Sequence, residues 1–220
     1  MGTLYVIATP IGNLEDITLR ALRILKEVDL IACEDTRRAK ILLDHFQISK
    51  PLVSFHQHSK LQKVDYIISE LKIGKNIALV TDAGTPAISD PGFRLIQEAV
   101  GNNIDIETIP GPSSITAILA VAGLRSSEFL FLGFLPKKKG RQTLFSKIKE
   151  YSWPMVIFES PFRIKKTLND LQSVLGDRKI IIGRELTKKF EEILRGKISE
   201  VLPKVREQGE FILIIQGTHD

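Results

Sequence analysis

Apolar positions along the chain recur with two periods. Short apolar runs at Leu4–Ala8, Asp29–Cys33, Pro51–Phe55, Ile77–Val80 and Ile104–Thr108 have the length and composition of strands. Between them, apolar residues return at helical spacing: Ile17, Ala21, Ile24, Leu25 and Val28; Ala39, Leu42, Leu43 and Phe46; Leu61, Val64, Ile68 and Leu71; Leu95, Ile96 and Ala99. Repeated strand–loop–helix units of this length predict a mostly parallel sheet with helices on both faces. Asp16 is the expected cap of the first helix, and Asp90-Pro91 the expected start of the fourth. A helix of small apolar residues, Ile115–Ala122, follows between the capping Ser113 and the stop at Gly123.

A composition shift after Leu124 places a domain boundary there, giving α/β domains over residues 1–124 and 125–220. In the second, Phe129–Phe134, Met155–Glu159, Lys179–Gly183 and Phe211–Gln216 read as strands, and Glu192–Gly196 as a short strand or turn. Helices are predicted through Leu144, Phe145 and Ile148, from Ser160-Pro161 to Gly176, and over Ser199–Arg206.

The stretch from Thr81 to Gly92 stands out chemically. It leaves a buried strand, carries Gly84, Pro86 and two carboxylates, Asp82 and Asp90, and re-enters a helix. Open α/β sheets bind ligands at such strand ends. Neither a GxGxxG spacing nor a P-loop lysine is present, and the carboxylates repel an anion, so a cationic or hydroxyl-rich ligand suits the loop better. Polar loops at Thr9–Asn13, Glu34–Arg38 and Phe55–Ser59 leave other strands of the set, and in a parallel sheet they share its edge.

Charge divides the chain. Residues 1–110 carry 12 basic and 14 acidic side chains, residues 111–220 carry 19 and 12. A basic second half suits a polyanion such as RNA, with Lys137–Arg141 and Arg184–Arg195 as candidate phosphate contacts. No apolar run approaches the ~18 residues of a membrane span, no leader precedes the first strand, and the single Cys33 fits a reducing compartment, so a cytoplasmic address is expected. No ligand spacing points to a metal, no G-x-S-x-G elbow occurs, and Cys33 reads as a buried thiol.

Taken together, Ala8-Thr9-Pro10-Ile11-Gly12-Asn13-Leu14, Glu34-Asp35-Thr36-Arg37, Ser54-Phe55-His56, Asp82-Ala83-Gly84-Thr85-Pro86, Ser89-Asp90-Pro91-Gly92, Pro110-Gly111-Pro112-Ser113, Gly133-Phe134-Leu135-Pro136, Glu159-Ser160-Pro161 and Arg184-Glu185-Leu186-Thr187-Lys188 resemble the small-subunit ribosomal RNA methyltransferases of the tetrapyrrole-methylase-like superfamily. Members commonly continue past a strand like Phe211–Gln216, whereas this sequence ends at Asp220. The resemblance implies two α/β domains, the second with a mixed sheet, and a cofactor cleft between them (the class III methyltransferase fold). It also implies a homodimer, S-adenosylmethionine as cofactor with S-adenosylhomocysteine as product, and the 2′-hydroxyl of a cytidine in the decoding region of 16S rRNA as acceptor. Cofactor residues implied by similarity are Pro10, Asp82, Ala83, Gly84, Thr85, Pro86, Ser113, Ser114, Ile115, Phe134 and Phe158. Within the matching motifs, Glu34 is the candidate base, Arg37 and Lys188 are candidate stabilisers of the developing alkoxide, and Glu185 is placed to orient Lys188. Two other readings stay open on the residues alone: a methyltransferase of the same architecture acting on a small tetrapyrrole, and a non-catalytic RNA-binding assembly factor.

Overall fold

A computed structural model describes residues 1–55 and 61–218. The chain divides into two compact units, Met1–Ser113 and Ser114–Asp220.

The first unit is built on five parallel strands, β1 (Thr3–Ile7), β2 (Leu30–Cys33), β3 (Leu52–Ser54), β4 (Ile77–Val80) and β5 (Asp105–Ile109), in the order β3-β2-β4-β1-β5. Four helices connect them: α1 (Leu19–Glu27), α2 (Thr36–His45), α3 (Leu61–Lys72) and α4 (Gly92–Gly101). Right-handed crossovers put α1 and α2 on one face and α3 and α4 on the other. Alternation along each strand serves both faces. Ile31, Cys33, Ala78 and Val80 pack with Ala21, Ile24, Leu25, Leu42 and Leu43, while Leu30, Ala32, Ile77 and Leu79 pack with Val64, Ile67, Leu71, Leu95 and Ala99. Strands buried on both sides read as unbroken apolar runs, which is the pattern the sequence shows.

Two helix starts differ from expectation. Asp16 ends a short 3-10 turn, Leu14–Asp16, and α1 is capped instead by Thr18, whose hydroxyl accepts from the Ala21 N–H at 3.1 Å. Ile17 keeps an extended backbone (φ −67°, ψ 139°), so the helix cannot begin at Asp16. Ahead of α4, Asp90 accepts from Gly92 N–H at 2.7 Å, but Pro91 is the residue at the helix boundary.

The second unit holds α5 (Ser114–Val121), then β6 (Leu130–Phe134), α6 (Arg141–Ile148), β7 (Met155–Glu159), α7 (Ile164–Leu175), β8 (Lys179–Arg184), β9 (Glu192–Lys197), α8 (Ile198–Val201) and β10 (Phe211–Ile215). Its sheet runs β6-β7-β10-β8-β9, with only β6–β7 parallel. The region expected as one helix over Ser199–Arg206 is α8 followed by a 3-10 turn at Leu202–Lys204, with Pro203 in that turn. The division falls earlier than the composition shift at Leu124 suggests. The reason is packing: Ile118 and Ala122 of α5 lie against Val156, Ile181, Ile212 and Ile214 of this sheet. Gly183 makes the approach close, since a Cβ there would stand 2.8 Å from Ile118 Cδ1.

Candidate active site

In the first unit the connection from β1 leaves toward β2, while that from β4 leaves toward β5. The two strands are neighbours with oppositely directed exits, the switch point at which open α/β sheets bind ligands. Their exit loops are joined there. Thr9 N–H donates to Gly84 O at 2.9 Å and Gly84 N–H to Thr9 O at 3.0 Å. The buried Thr9 hydroxyl donates to Thr81 O at 3.1 Å. From the β5 exit, Pro112 O accepts the Thr85 hydroxyl at 3.3 Å, and a Cβ on Gly111 would lie 3.1 Å from Ala8 Cβ. Pro10, Asp82–Pro86 and Ser113 therefore belong to loops that meet on one edge.

Gly84 adopts φ +81°, a conformation that costs other residues strain. Beyond it, Ala87 (φ +69°) and Ser89 (φ +67°) adopt left-handed backbone without that excuse. Asp90 Oδ1 holds them by accepting from Ala87 N–H at 2.9 Å as well as from Gly92 N–H. The oxygen that the sequence pattern offers to a ligand is thus engaged in closing its own loop.

The β2 exit brings in acid groups. Thr81 donates its hydroxyl to Glu34 Oε2 at 3.2 Å, and Asp82 Oδ1 accepts from the Asp35 N–H at 3.1 Å. Burial first, then the charge of Asp82, raises the Glu34 pKa from its ordinary value, against opposing hydrogen bonds from Thr81 and the Asp82 backbone. Asp82 is also raised, by burial, with Arg38 opposing at 3.4 Å from Oδ2. Arg37 is turned away: its guanidinium is 88% exposed and pairs with Asp35 at 2.7 Å, which lowers Asp35 to about 2. Arg38 and the hydroxyls of Thr9 and Thr81 were not legible as site groups. Arg38 follows Arg37 in an amphipathic helix start, and only the roughly 100° turn between successive helical residues separates their roles.

In the second unit, Lys188 Nζ donates to Glu185 Oε1 at 2.9 Å and to Glu210 Oε2 at 3.0 Å, so the structure brings Glu185 and Lys188 together and adds Glu210. Burial disfavours the Lys188 charge, but the two carboxylates outweigh it and the pKa rises. Phe134 and Phe158 meet at 5.5 Å between ring centroids. A bulge in β6 makes this possible: its register against β7 slips between Phe131 and Gly133, and Gly133 takes φ +60°. Both Phe131 and Phe134 then reach Phe158. Ser114 and Ile115 form the first turn of α5.

Two expected phosphate contacts are used internally instead. Arg141 is 7% exposed and bonds Asp170, Thr167 and the Pro136 carbonyl. Arg184 is buried in an ion pair with Glu192 at 2.9 Å, whereas Arg195 donates to the Val121 carbonyl and stays exposed. Lys137, Lys138 and Lys139 are exposed. Cys33 is buried and its thiol is pushed up to about 11, chiefly by burial, which leaves no thiolate at neutral pH. Among the described residues no group of three His, Cys, Asp or Glu side chains is placed to hold a metal, and no helix is long and apolar enough to cross a membrane. The Phe55–Ser59 loop, with its His56 and His58, lies outside the described residues from His56 to Lys60.

The chain thus combines a parallel sheet, with an acidic, glycine-bearing edge at its switch point, and a mixed sheet, an α/β architecture with the edge placed to bind a ligand. The family model for Tetrapyrrole (Corrin/Porphyrin) Methylases matches residues 3–202, and the chain belongs to that family. Ribosomal RNA small subunit methyltransferase I of Thermotoga maritima is 46% identical over 220 residues, 99% of each chain. The protein of the same name from Halalkalibacterium halodurans is 48% identical over 98% of this chain and 76% of its own. The crystal structure of diphthine synthase shares the fold, with a TM-score of 0.80 at 14% identity over 100% of this chain and 92% of its own. Membership makes this chain a methyltransferase.

Proposed function

We propose that the chain transfers the methyl group of S-adenosylmethionine to the ribose 2′-hydroxyl of a cytidine in the decoding region of 16S rRNA, releasing S-adenosylhomocysteine. The observation that carries this reading is the 46% identity, over nearly the whole of both chains, to a relative named as a ribosomal RNA methyltransferase. The excess of basic residues in the second half supports an RNA acceptor within the small ribosomal subunit. A homodimer working in the cytoplasm completes the reading and rests on the family resemblance.

The edge built around Thr9 and Gly84 fits the cofactor chemically. Carboxylates of Glu34 and Asp82 face the same edge, suited to a sulfonium and an ammonium, and Gly84 lets backbone groups approach closely. Pro10, the Asp82–Pro86 loop and Ser113 of the first unit would bind it. When bound, it supplies a methyl group already activated for displacement, so alignment of the acceptor oxygen carries much of the rate. Glu34, with its raised pKa, would accept the 2′-hydroxyl proton at a carboxylate oxygen. Arg37 would stabilise the developing alkoxide on leaving Asp35, and the family resemblance gives the same role to Lys188, held by Glu185.

Calorimetric titration with S-adenosylmethionine tests the cofactor half of the proposal. Wild type should bind, Asp82→Ala should bind at least ~10-fold more weakly, and Glu34→Gln should lose less affinity than Asp82→Ala. Failure of folded wild type to bind would sink the proposal.

A further inference from the structure

Phe162 is 90% exposed, although the turn that presents it is firmly held. Its anchor is Glu159 at the end of β7, a carboxylate with a fully buried side chain. Glu159 Oε1 accepts from Ser160 N–H at 2.8 Å, and Oε2 accepts the Thr167 hydroxyl at 2.6 Å and pairs with Arg163 at 3.3 Å. Burying a charge is costly unless every oxygen is answered, and here each is. The same network reaches across to the exit of the parallel neighbour β6. Arg163 donates to Leu135 O at 2.7 Å, and Arg141, bonded to Thr167, donates to Pro136 O at 3.1 Å. Immediately beyond Pro136 stand Lys137, Lys138 and Lys139, all exposed, and among the described residues none is in an ion pair with a carboxylate. Lys166, also exposed, lies one helical turn beyond Phe162.

One buried polar network thus fixes two loops on one edge of the second unit, one carrying a bare aromatic ring and the other three cations. We propose that this edge is a single-stranded RNA platform, with Phe162 stacking on an unpaired base while Lys137–Lys139 contact the flanking phosphates. Unpaired bases stack on exposed aromatic faces, and flanking cations follow the backbone without reading sequence. The inference deepens the RNA-methylation reading and rests on it only for the identity of the RNA.

Fluorescence anisotropy with a labelled oligocytidylate, alongside a duplex of equal length, tests it. Phe162→Ala should weaken single-strand binding about 5- to 150-fold, the range expected when one base–aromatic stack is lost, while the salt slope stays as in wild type. Phe162→Trp should retain affinity and Phe162→Leu should not. Replacing all three lysines by alanine should lower the slope of log affinity against log salt by about 2. Unchanged binding by Phe162→Ala, equal rescue by leucine, or a changed sedimentation coefficient in Phe162→Ala, which would mean that a second copy covers the ring, would each overturn the inference. Wild type that methylates 16S rRNA while Phe162→Ala binds normally would remove the platform alone. Stacking without any methyl transfer would remove the methylation reading alone.

Discussion

Glu34 sits where two effects add: burial and the neighbouring Asp82 both favour its protonated form. A base must be deprotonated to work, so activity should fall as pH drops through a value raised from that of an ordinary glutamate. The acid limb of kcat/KM should move to lower pH in Asp82→Asn, which removes the neighbouring charge. Glu34→Gln should cut methyl transfer by about 10²- to 10⁴-fold, the usual worth of a positioned base. The same raised pKa fixes a sign for stability. A carboxyl whose pKa is higher folded than unfolded contributes stability below its unfolded pKa, and that contribution is lost as pH rises through the folded value. Glu34→Gln should therefore have a higher Tm than wild type at pH 8, with the gap closing in acid, as calorimetric scans would show. At this scale the sequence was partly legible. Glu34 and Asp82 lie in loops whose position follows from strand periodicity, whereas the opposite partners of Arg37 and Arg38 depend on helix phase at an end that no pattern defines.

Element ends are where pattern and structure part. The periodicity of Ala21, Ile24 and Leu25 marks α1 clearly, yet two polar residues, Asp16 and Thr18, compete to cap it. Since Thr18 makes the bond, Thr18→Ala should cost about 1 kcal/mol in denaturant unfolding, and Asp16→Ala less than about 0.5 kcal/mol. The loop before α4 depends on one oxygen. Asp90→Ala releases Ala87 and Gly92 N–H together and frees two left-handed residues to relax. KM for S-adenosylmethionine should rise about 10-fold or more, because each charge-assisted bond is worth roughly twice a neutral one, while Asp90→Asn, which keeps an acceptor, should recover most of the loss. The β6 bulge was not legible at all. Strict alternation puts Phe131 and Phe134 on opposite faces, and only the slip near Gly133 lets both reach Phe158.

Across the whole chain, architecture was the most legible property, because strands buried on both faces must read as continuous apolar runs and helices between them as amphipathic stripes. The parallel first sheet follows from that repetition, and the mixed second sheet from the family resemblance. The placement of α5 does not follow: its residues are small and apolar nearly throughout, so no face is marked, and only packing against Ile181 and Ile212 assigns it to the second unit. Charge also reads differently at this scale. Arg141 and Arg184 contribute to the basic total yet are buried and bonded internally, so the available cations are fewer than the composition suggests. Binding of 16S rRNA should still weaken steeply with salt, with a slope that the triple lysine replacement reduces.

The central claim is methyl transfer to a ribose of 16S rRNA. Its most direct test incubates the protein with 16S rRNA or small ribosomal subunits and methyl-labelled S-adenosylmethionine, then digests the RNA to nucleosides. Label recovered as 2′-O-methylcytidine, and lost with Glu34→Gln, is the predicted result. Label confined to a small tetrapyrrole acceptor, or to a base rather than a ribose, would contradict the account.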